Sequence, residues 1–264
     1  MSPGVDRSTE GRFLEWCSAL EKRHLSNVTF TEVRRSLQAL SSIYVERRDR
    51  LSSGAALTGA GKRAAFALFY GPLHFLLTQR IVTESGAALQ RLDRIVDLGC
   101  GTGAASAAWA LGLPRSPRIL GLDRSAWACD EASWTWRVLG LSGRTRRGDL
   151  SREPLRKGRE GVLLAFVVNE LDSPARARAL QAAIRSSRYG GCVLVIEPIG
   201  RRPIPWWDEW SESFRDEGGR EQLWRFPARL PERLQLLDRA AGLDHSELTG
   251  RSLYLPGRGG ARMP

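Results

Sequence analysis

The sequence predicts an α/β protein with a doubly wound, mostly parallel sheet and a helical cap at its N-terminus. From residue 94 onward, short apolar segments alternate with helical segments, and parallel strands require crossover helices of this kind. The first 90 residues instead carry apolar side chains at helical spacing. The composition is ordinary for a globular protein, since 42% of the 264 residues are hydrophobic and 26% are charged. A chain of this length can bury a core without disulfides.

Four strand–helix units follow one another in the α/β region. Strands are predicted at Arg94–Leu98, Arg118–Leu122, Gly161–Val168 and Cys192–Glu197, with helices at 104–112, 125–139, 174–187 and 231–241. Two C-terminal runs, Leu243–Leu248 and Arg251–Leu255, predict a hairpin. The expected organisation is a helical cap over 1–90, an α/β domain over 91–256 with an aromatic insert at 199–230, and a flexible tail over 257–264.

Three helical segments are predicted in the cap, the first over 9–25. Thr29 and Glu32 have the spacing of a capping box, which predicts a second helix from Phe30 to about Arg48. The third segment, Lys62 to Val82, contains Gly71-Pro72, and this pair should kink or split the helix.

A glycine-rich turn follows the first predicted strand, in the segment Ile95-Val96-Asp97-Leu98-Gly99-Cys100-Gly101-Thr102-Gly103-Ala104. Glycines there let the backbone turn tightly and approach a ligand. Ligands of open α/β sheets bind beyond the carboxyl ends of the strands. A dinucleotide-binding turn has the spacing G-x-G-x-x-G, but this turn has G-x-G-x-G. Asp97, two residues before the first glycine, favours a ligand with positive charge over a pyrophosphate.

Two further acids lie C-terminal to the glycine turn, one at the end of the second strand and one after the second helix of the α/β region. Asp123 ends the second strand, and its carboxylate can accept hydrogen bonds from both hydroxyls of a ribose. The segment Gly148-Asp149-Leu150 follows a basic stretch. The turn and these acids resemble class I S-adenosylmethionine (SAM) methyltransferases, over residues 94–255. The resemblance implies a Rossmann-like fold, SAM as the cofactor, and a cofactor site formed by Asp97, Gly99, Cys100, Gly101, Gly103, Asp123, Arg124, Asp149 and Leu150.

Two other segments, Val167-Val168-Asn169-Glu170-Leu171 and Val195-Ile196-Glu197-Pro198, are loosely similar to the ribosomal small-subunit methyltransferase-like family known from mitochondria. The helical segment Tyr44-Val45-Glu46-Arg47-Arg48 is also similar. This resemblance implies RNA, as ribosomal RNA or the ribosomal small subunit, as the acceptor. That family carries a cysteine cluster for iron–sulfur binding. The four cysteines here, at 17, 100, 129 and 192, form no C-x-x-C pair, so no metal site is expected.

The acceptor site is predicted where the fourth strand ends, because that end faces the methyl group in this fold. Asn169 is the candidate to hold the acceptor, and Glu170 or Asp172 the candidate to take a proton. Alternatively, Asn169 and Asp172 stabilise the turn and cap the next helix. The predicted substrate-binding residues are His74, Trp206, Trp207 and Trp210. The alternative for the tryptophans is a helix that buries its aromatic face in the core.

The chain has a formal net charge of +11, and residues 144–159 are strongly basic. This charge agrees with an RNA partner if the basic residues flank the cleft; if they are scattered, they form a solvated face instead. Two alternatives are a small-molecule (natural-product) methyltransferase and a non-catalytic, SAM-binding ribosome assembly factor. No apolar run approaches the roughly 20 residues that span a bilayer. We therefore expect a cytoplasmic protein without a membrane partner.

Overall fold

A computed structural model describes residues 8–46, 57–199 and 204–258. Within these ranges seven strands form one sheet: β1 (Arg94–Leu98), β2 (Arg118–Asp123), β3 (Gly143–Arg147), β4 (Glu160–Ala165), β5 (Cys192–Glu197), β6 (Arg220–Pro227) and β7 (Glu247–Leu255). Their order is β3-β2-β1-β4-β5-β7-β6. Strands β1 to β5 are parallel, and β7 is antiparallel to both β5 and β6. The chain winds outward in both directions from β1 and β4, so a ligand crevice is expected at their carboxyl ends.

The predicted fold class is confirmed, but three details of the sheet differ from the prediction. Strands β3 and β6 were not expected, because both are edge strands whose side chains are mostly exposed. The predicted C-terminal hairpin is wrong, because residues 247–255 form one continuous strand. Gly250 within this strand packs closely on Leu77, since a Cβ atom there would lie 3.0 Å from a methyl group of that residue.

The helices agree closely with the predicted segments. They are α1 (Thr9–His24), α2 (Phe30–Glu46), α3 (Ala60–Ala65), α4 (Gly71–Glu84), α5 (Ala104–Gly112), α6 (Ala126–Val138), α7 (Ser173–Arg188), α8 (Pro205–Asp216) and α9 (Glu232–Ala240). The capping box is present, since Thr29 and Glu32 exchange hydrogen bonds at the start of α2. Arg47 and Arg48, at the predicted end of that helix, lie outside the described residues. No described helix combines the length and apolar character needed to cross a bilayer.

The third predicted segment is divided by a π-helical turn at Phe66–Tyr70, which joins α3 to α4. We call residues 60–84 the helical roof, because they cover the glycine turn after β1. A Cβ atom at Gly71 would lie 3.2 Å from the hydroxyl of Thr102 in that turn. Single π turns inside helices occur frequently at functional sites.

Each face of the sheet has its own apolar core. On one face, Ile95, Ile119 and Leu194 pack with α1, the roof, α5 and α6. On the other face, Val96 and Val195 pack with α7 and α8. The two cores come from alternate residues of the same strands, as the period of two in a β-strand requires.

Candidate active site

The glycine turn after β1 is fastened to the neighbouring strand β2. The backbone N–H groups of Gly99 and Cys100 both donate to the carbonyl of Leu122, at 2.8 and 2.9 Å. Gly99, Gly101 and Gly103 have positive φ angles of 82°, 50° and 73°. A Cβ atom at Gly99 would lie 2.3 Å from a methyl carbon of Val167, but one at Gly101 would have no neighbour within 4 Å. Gly99 is therefore required for packing, whereas Gly101 borders open space.

Asp97 lies beneath this turn and is 1% exposed. Its Oδ2 atom is buried and has no hydrogen-bond partner among the described residues. Burial raises the pKa of this carboxyl to about 7, the nearby Asp123 carboxylate raises it further, and hydrogen bonding with Ser106 acts against both. An unpaired acid of this kind gains stability when a cationic group binds next to it.

Asp123, at the end of β2, links two loops through its carboxylate. One oxygen accepts from the N–H of Gly101 at 3.0 Å and the other from the N–H of Ser125 at 2.8 Å. Burial raises the pKa of Asp123, although these N–H groups oppose the change. Each oxygen keeps a lone pair, so the carboxylate can also accept hydrogen bonds from a bound diol.

The polar groups of the segment after β3 already have partners within the protein. Asp149 accepts from the N–H and hydroxyl of Ser151, at 3.0 and 2.9 Å. Arg124, which is largely exposed, lies 3.6 Å from the same carboxylate. Leu150 is buried, and so is the Cys100 side chain, which packs against Gly121 of β2. Burial keeps the pKa of the Cys100 thiol well above its usual value, so the thiol is unreactive.

Asn169 is held by hydrogen bonds at both ends of its amide. Its Nδ2 donates to Glu197 of β5 at 2.7 Å, and its Oδ1 accepts from the indole N–H of Trp206 at 3.0 Å. Glu197 also accepts from the N–H of Val168 at 2.9 Å. These contacts tie the ends of β4 and β5 to α8. They match the alternative in which Asn169 stabilises the turn, while its predicted catalytic role stays a prediction.

Of the acids that follow β4, Glu170 is the one whose carboxylate has no hydrogen-bond partner among the described residues. Burial raises its pKa to about 8, and the carboxylates of Glu197 and Asp123 contribute in the same direction. Asp172, the other predicted proton acceptor, instead caps α7 by accepting from the N–H of Ala175 at 2.7 Å. Glu170 is therefore the better placed of the two to exchange a proton near neutral pH.

Aromatic side chains from the helical roof extend across the carboxyl ends of β2, β1 and β4. The imidazole of His74 stacks on Phe166, with ring centroids 3.8 Å apart and planes 12° apart. Phe66 contacts both His74 and Trp127 edge to face, at 6.0 and 6.4 Å, and Tyr70 lies 6.2 Å from His74. Burial lowers the pKa of His74 to about 3, so the ring is neutral. Of this aromatic row (Phe66, Tyr70, His74, Trp127 and Phe166) the sequence analysis found His74 alone.

Phe166 follows β4 directly and has a φ angle of 61°. A bulky residue rarely adopts this conformation, and such strain is concentrated at functional sites. The backbone N–H of Phe166 donates to the carbonyl of Ile196 at 2.8 Å, which holds the strained residue in place. Nothing in the spacing of the sequence signals either the strain or the stacking.

The predicted aromatic insert does not form an open surface. Trp206, Trp207 and Trp210 are 6%, 2% and 1% exposed and pack beneath α8. The indole N–H of Trp207 donates to Glu221 of β6 at 2.6 Å. Their burial matches the alternative of a core-packed helix, so their role as substrate-binding residues stays a prediction that this burial disfavours.

Residues 95–191 match the family profile described as a methyltransferase domain. Over these residues the chain is similar to a methyltransferase domain. The order of its strands and its glycine turn agree with the class I methyltransferase fold. No curated protein sequence matches the chain.

Several solved structures have a similar fold. Mitomycin 7-O-methyltransferase MmcR has a TM-score of 0.50 at 15% identity, over 94% of this chain and 75% of that chain. Magnesium protoporphyrin IX methyltransferase ChlM from Synechocystis PCC 6803, with bound SAM, has a TM-score of 0.47 at 16% identity, over 70% and 80%. TehB from Haemophilus influenzae has a TM-score of 0.49 at 13% identity; the alignment covers 66% of this chain and only 61% of TehB.

The residues of this chain fit SAM. The unpaired Oδ2 of Asp97 suits a ligand with cationic groups, and the open side of Gly101 leaves room for close approach. Asp123 can hold the ribose hydroxyls. The contact of Asp149 and Leu150 with the adenine ring stays a prediction. When bound, SAM supplies an activated methyl group on a sulfonium, so that the protein need only align an acceptor.

Proposed function

We propose that this methyltransferase modifies a small, flat and uncharged acceptor that binds along the aromatic row. The observation that carries the proposal is the stack of neutral His74 on the strained Phe166 at the end of β4. Stacked aromatic rings favour a planar apolar partner over a polar chain. Small-molecule sites are typically lined by aromatic side chains with a few polar groups.

The charges around the row support the same acceptor class. Four carboxyl groups gather at the carboxyl edge, on Asp97, Asp123, Glu170 and Glu197, and the pKa of each is raised, with burial as the main cause. Each of these acids that is ionised repels the phosphates of a polyanion. A neutral acceptor avoids this cost.

RNA is the second candidate acceptor, and the basic strand β3 favours it. Arg144, Arg146 and Arg147 are exposed on this edge strand. However, Arg146 pairs with Glu153, and Arg147 donates to the backbone carbonyl of Arg124 at 2.9 Å. None of the proteins compared above is a ribosomal small-subunit methyltransferase-like protein.

In the proposed reaction the chain positions the acceptor and removes its proton. The aromatic row holds the plane of the acceptor beside the ends of β1 and β4. Glu170, whose raised pKa lies near neutral pH, takes the proton of an attacking hydroxyl or amine. The roof lies over this edge, and any exclusion of water by it would leave developing charges weakly screened.

Labelled methyl transfer into a fractionated cell extract tests the proposal. We expect label in the small-metabolite fraction, and label in RNA instead would overturn the small-molecule acceptor.

His74→Ala should lower transfer at limiting acceptor at least tenfold, because it removes the stack on Phe166, whereas His74→Phe should retain most of the transfer. Equal loss in both variants would show that the ring face of His74 does not bind the acceptor.

A further inference from the structure

A cavity of about 400 Å³ lies away from the glycine turn, between β3 and the segment that follows it. Its lining includes four arginines, one acid and one apolar residue: Arg94, Arg144, Arg146, Arg156, Glu153 and Leu120. We call it the arginine cavity. The methyltransferase reaction proposed above makes no use of it.

The pleat of β3 explains why its arginines face this cavity. Gly143 packs against Trp136 of α6, and Thr145 shares a 3.0 Å hydrogen bond with Ser133 of the same helix. Successive side chains of a strand point to opposite faces, so Arg144 and Arg146 stand on the face away from α6. The cavity therefore lies on that opposite face of the sheet.

A buried acid holds two of the segments that line the arginine cavity. Glu160, which is 3% exposed, accepts from the Nε of Arg94 at 2.7 Å and from the backbone N–H of Arg156 at 3.0 Å. One carboxylate thus orients an arginine from β1 and anchors the chain segment that carries another. The site is built by the fold rather than by mobile side chains alone.

Two of the four arginines keep their charge available. Arg94 is neutralised by Glu160, and Arg146 pairs with Glu153. In the described part of the chain, neither Arg144 nor Arg156 forms an ion pair. Their two positive charges therefore remain uncompensated at a concave surface, where low-dielectric walls concentrate the field.

We propose that the arginine cavity binds a phosphate-bearing ligand with two or more negative charges. Guanidinium groups match the geometry of phosphate oxygens and bind them in pairs of hydrogen bonds. The cavity includes Arg94 at the amino end of β1, whereas the glycine turn follows the carboxyl end of that strand. Ligand and SAM can therefore bind at the same time. The phosphates belong either to a free metabolite or to a short RNA backbone.

Calorimetric titration of the full chain with inorganic tripolyphosphate tests the site. We expect binding that the double variant Arg144→Glu, Arg156→Glu weakens at least tenfold, without change in SAM affinity. Arg34→Glu is the matched control, since Arg34 is exposed on α2 and has no carboxylate partner in the described ranges; it should leave the affinity within about twofold. Undetectable tripolyphosphate binding, or equal binding by the double variant, would overturn the proposal.

A parallel titration with a short single-stranded RNA identifies the source of the phosphates. RNA binding that tripolyphosphate displaces and the double variant loses supports the site and assigns it to a backbone. In that case the salt slope should flatten by up to about 2 units, near one for each lost contact. Binding of tripolyphosphate without RNA supports the site and assigns it to a free metabolite. RNA binding that survives in the double variant, with tripolyphosphate inert, counts against the cavity.

Discussion

Alanine at two glycines of the same turn should produce opposite phenotypes. Both residues have a positive φ, so each alanine costs roughly 1–2 kcal/mol of backbone strain. At Gly99 the new Cβ atom would also lie 2.3 Å from Val167, and such overpacking costs about 1–3 kcal/mol more. Gly99→Ala should therefore lose about 2–5 kcal/mol of unfolding free energy, and Gly101→Ala only about 1–2 kcal/mol.

SAM affinity of the folded protein should be reduced more by Gly101→Ala than by Gly99→Ala. The space beside Gly101 is free of protein atoms within 4 Å, and a methyl group there would enter the volume assigned to the cofactor. We expect Gly101→Ala to bind SAM at least tenfold more weakly, a loss of about 1.4 kcal/mol or more.

Thermal melts and calorimetry measure the two effects separately. A loss of 1 kcal/mol lowers the melting temperature by about 2–4 °C for a chain of this size. Gly101→Ala should melt within about 8 °C of the wild type and bind SAM poorly, whereas Gly99→Ala should melt markedly lower. Wild-type SAM affinity in Gly101→Ala would refute the reasoning, because the turn would then not approach the cofactor.

Three further outcomes are expected. Folding raises the pKa of Asp97 from 3.8 to about 7, so the folded protein holds this proton more tightly than the unfolded chain does. The stability of the free protein should therefore decline as the pH rises between these two values. Asp97→Asn should flatten this decline in pH-dependent melts. Over the same window SAM affinity should increase with pH, and a flat wild-type profile would contradict the role of Asp97. Asp123→Ala should weaken SAM binding by about 1.5–3 kcal/mol, the scale of lost charged hydrogen bonds, and unchanged calorimetric affinity would remove Asp123 from the site. Trp206→Phe should cost about 1 kcal/mol through the lost bond to Asn169, and Trp206→Ala about 3–5 kcal/mol; a stable alanine variant would show that the indole is not a core residue.

The parts of the fold that follow from local pattern could be predicted from the sequence. Strands β1, β2 and β5 are buried apolar runs, and their predicted bounds agree with the structure within one residue. Strand β3 resembles a basic loop in the sequence, because Gly143 and Thr145 contact a helix whereas Arg144 and Arg146 face away from it. Its strand conformation depends on backbone pairing with β2, which side-chain periodicity does not report.

The candidate site likewise contains residues that could be predicted from the sequence and residues that could not. The turn and the acids Asp97 and Asp123 could be found because a strand end and a glycine spacing determine their positions. The aromatic row could not, since it joins residues from before β1 to residues after β2 and β4. The link from Asn169 through Glu197 was missed although both residues had been noted, because only the parallel pairing of β4 and β5 brings them together.

The helical roof has a consequence for engineering acceptor preference. Its own aromatic side chains, Phe66, Tyr70 and His74, precede β1 in the chain, while the glycine turn and Asp123 follow it. Under the proposed function, exchange of residues 60–84 for the same segment of another chain would therefore replace one side of the acceptor site and leave the predicted SAM residues unchanged. A graft must keep glycine at position 71, because a side chain there would press on Thr102. Under the proposed function, the roof side of the acceptor site and the donor site are thus encoded in separate stretches of sequence, which contact each other where Gly71 meets Thr102.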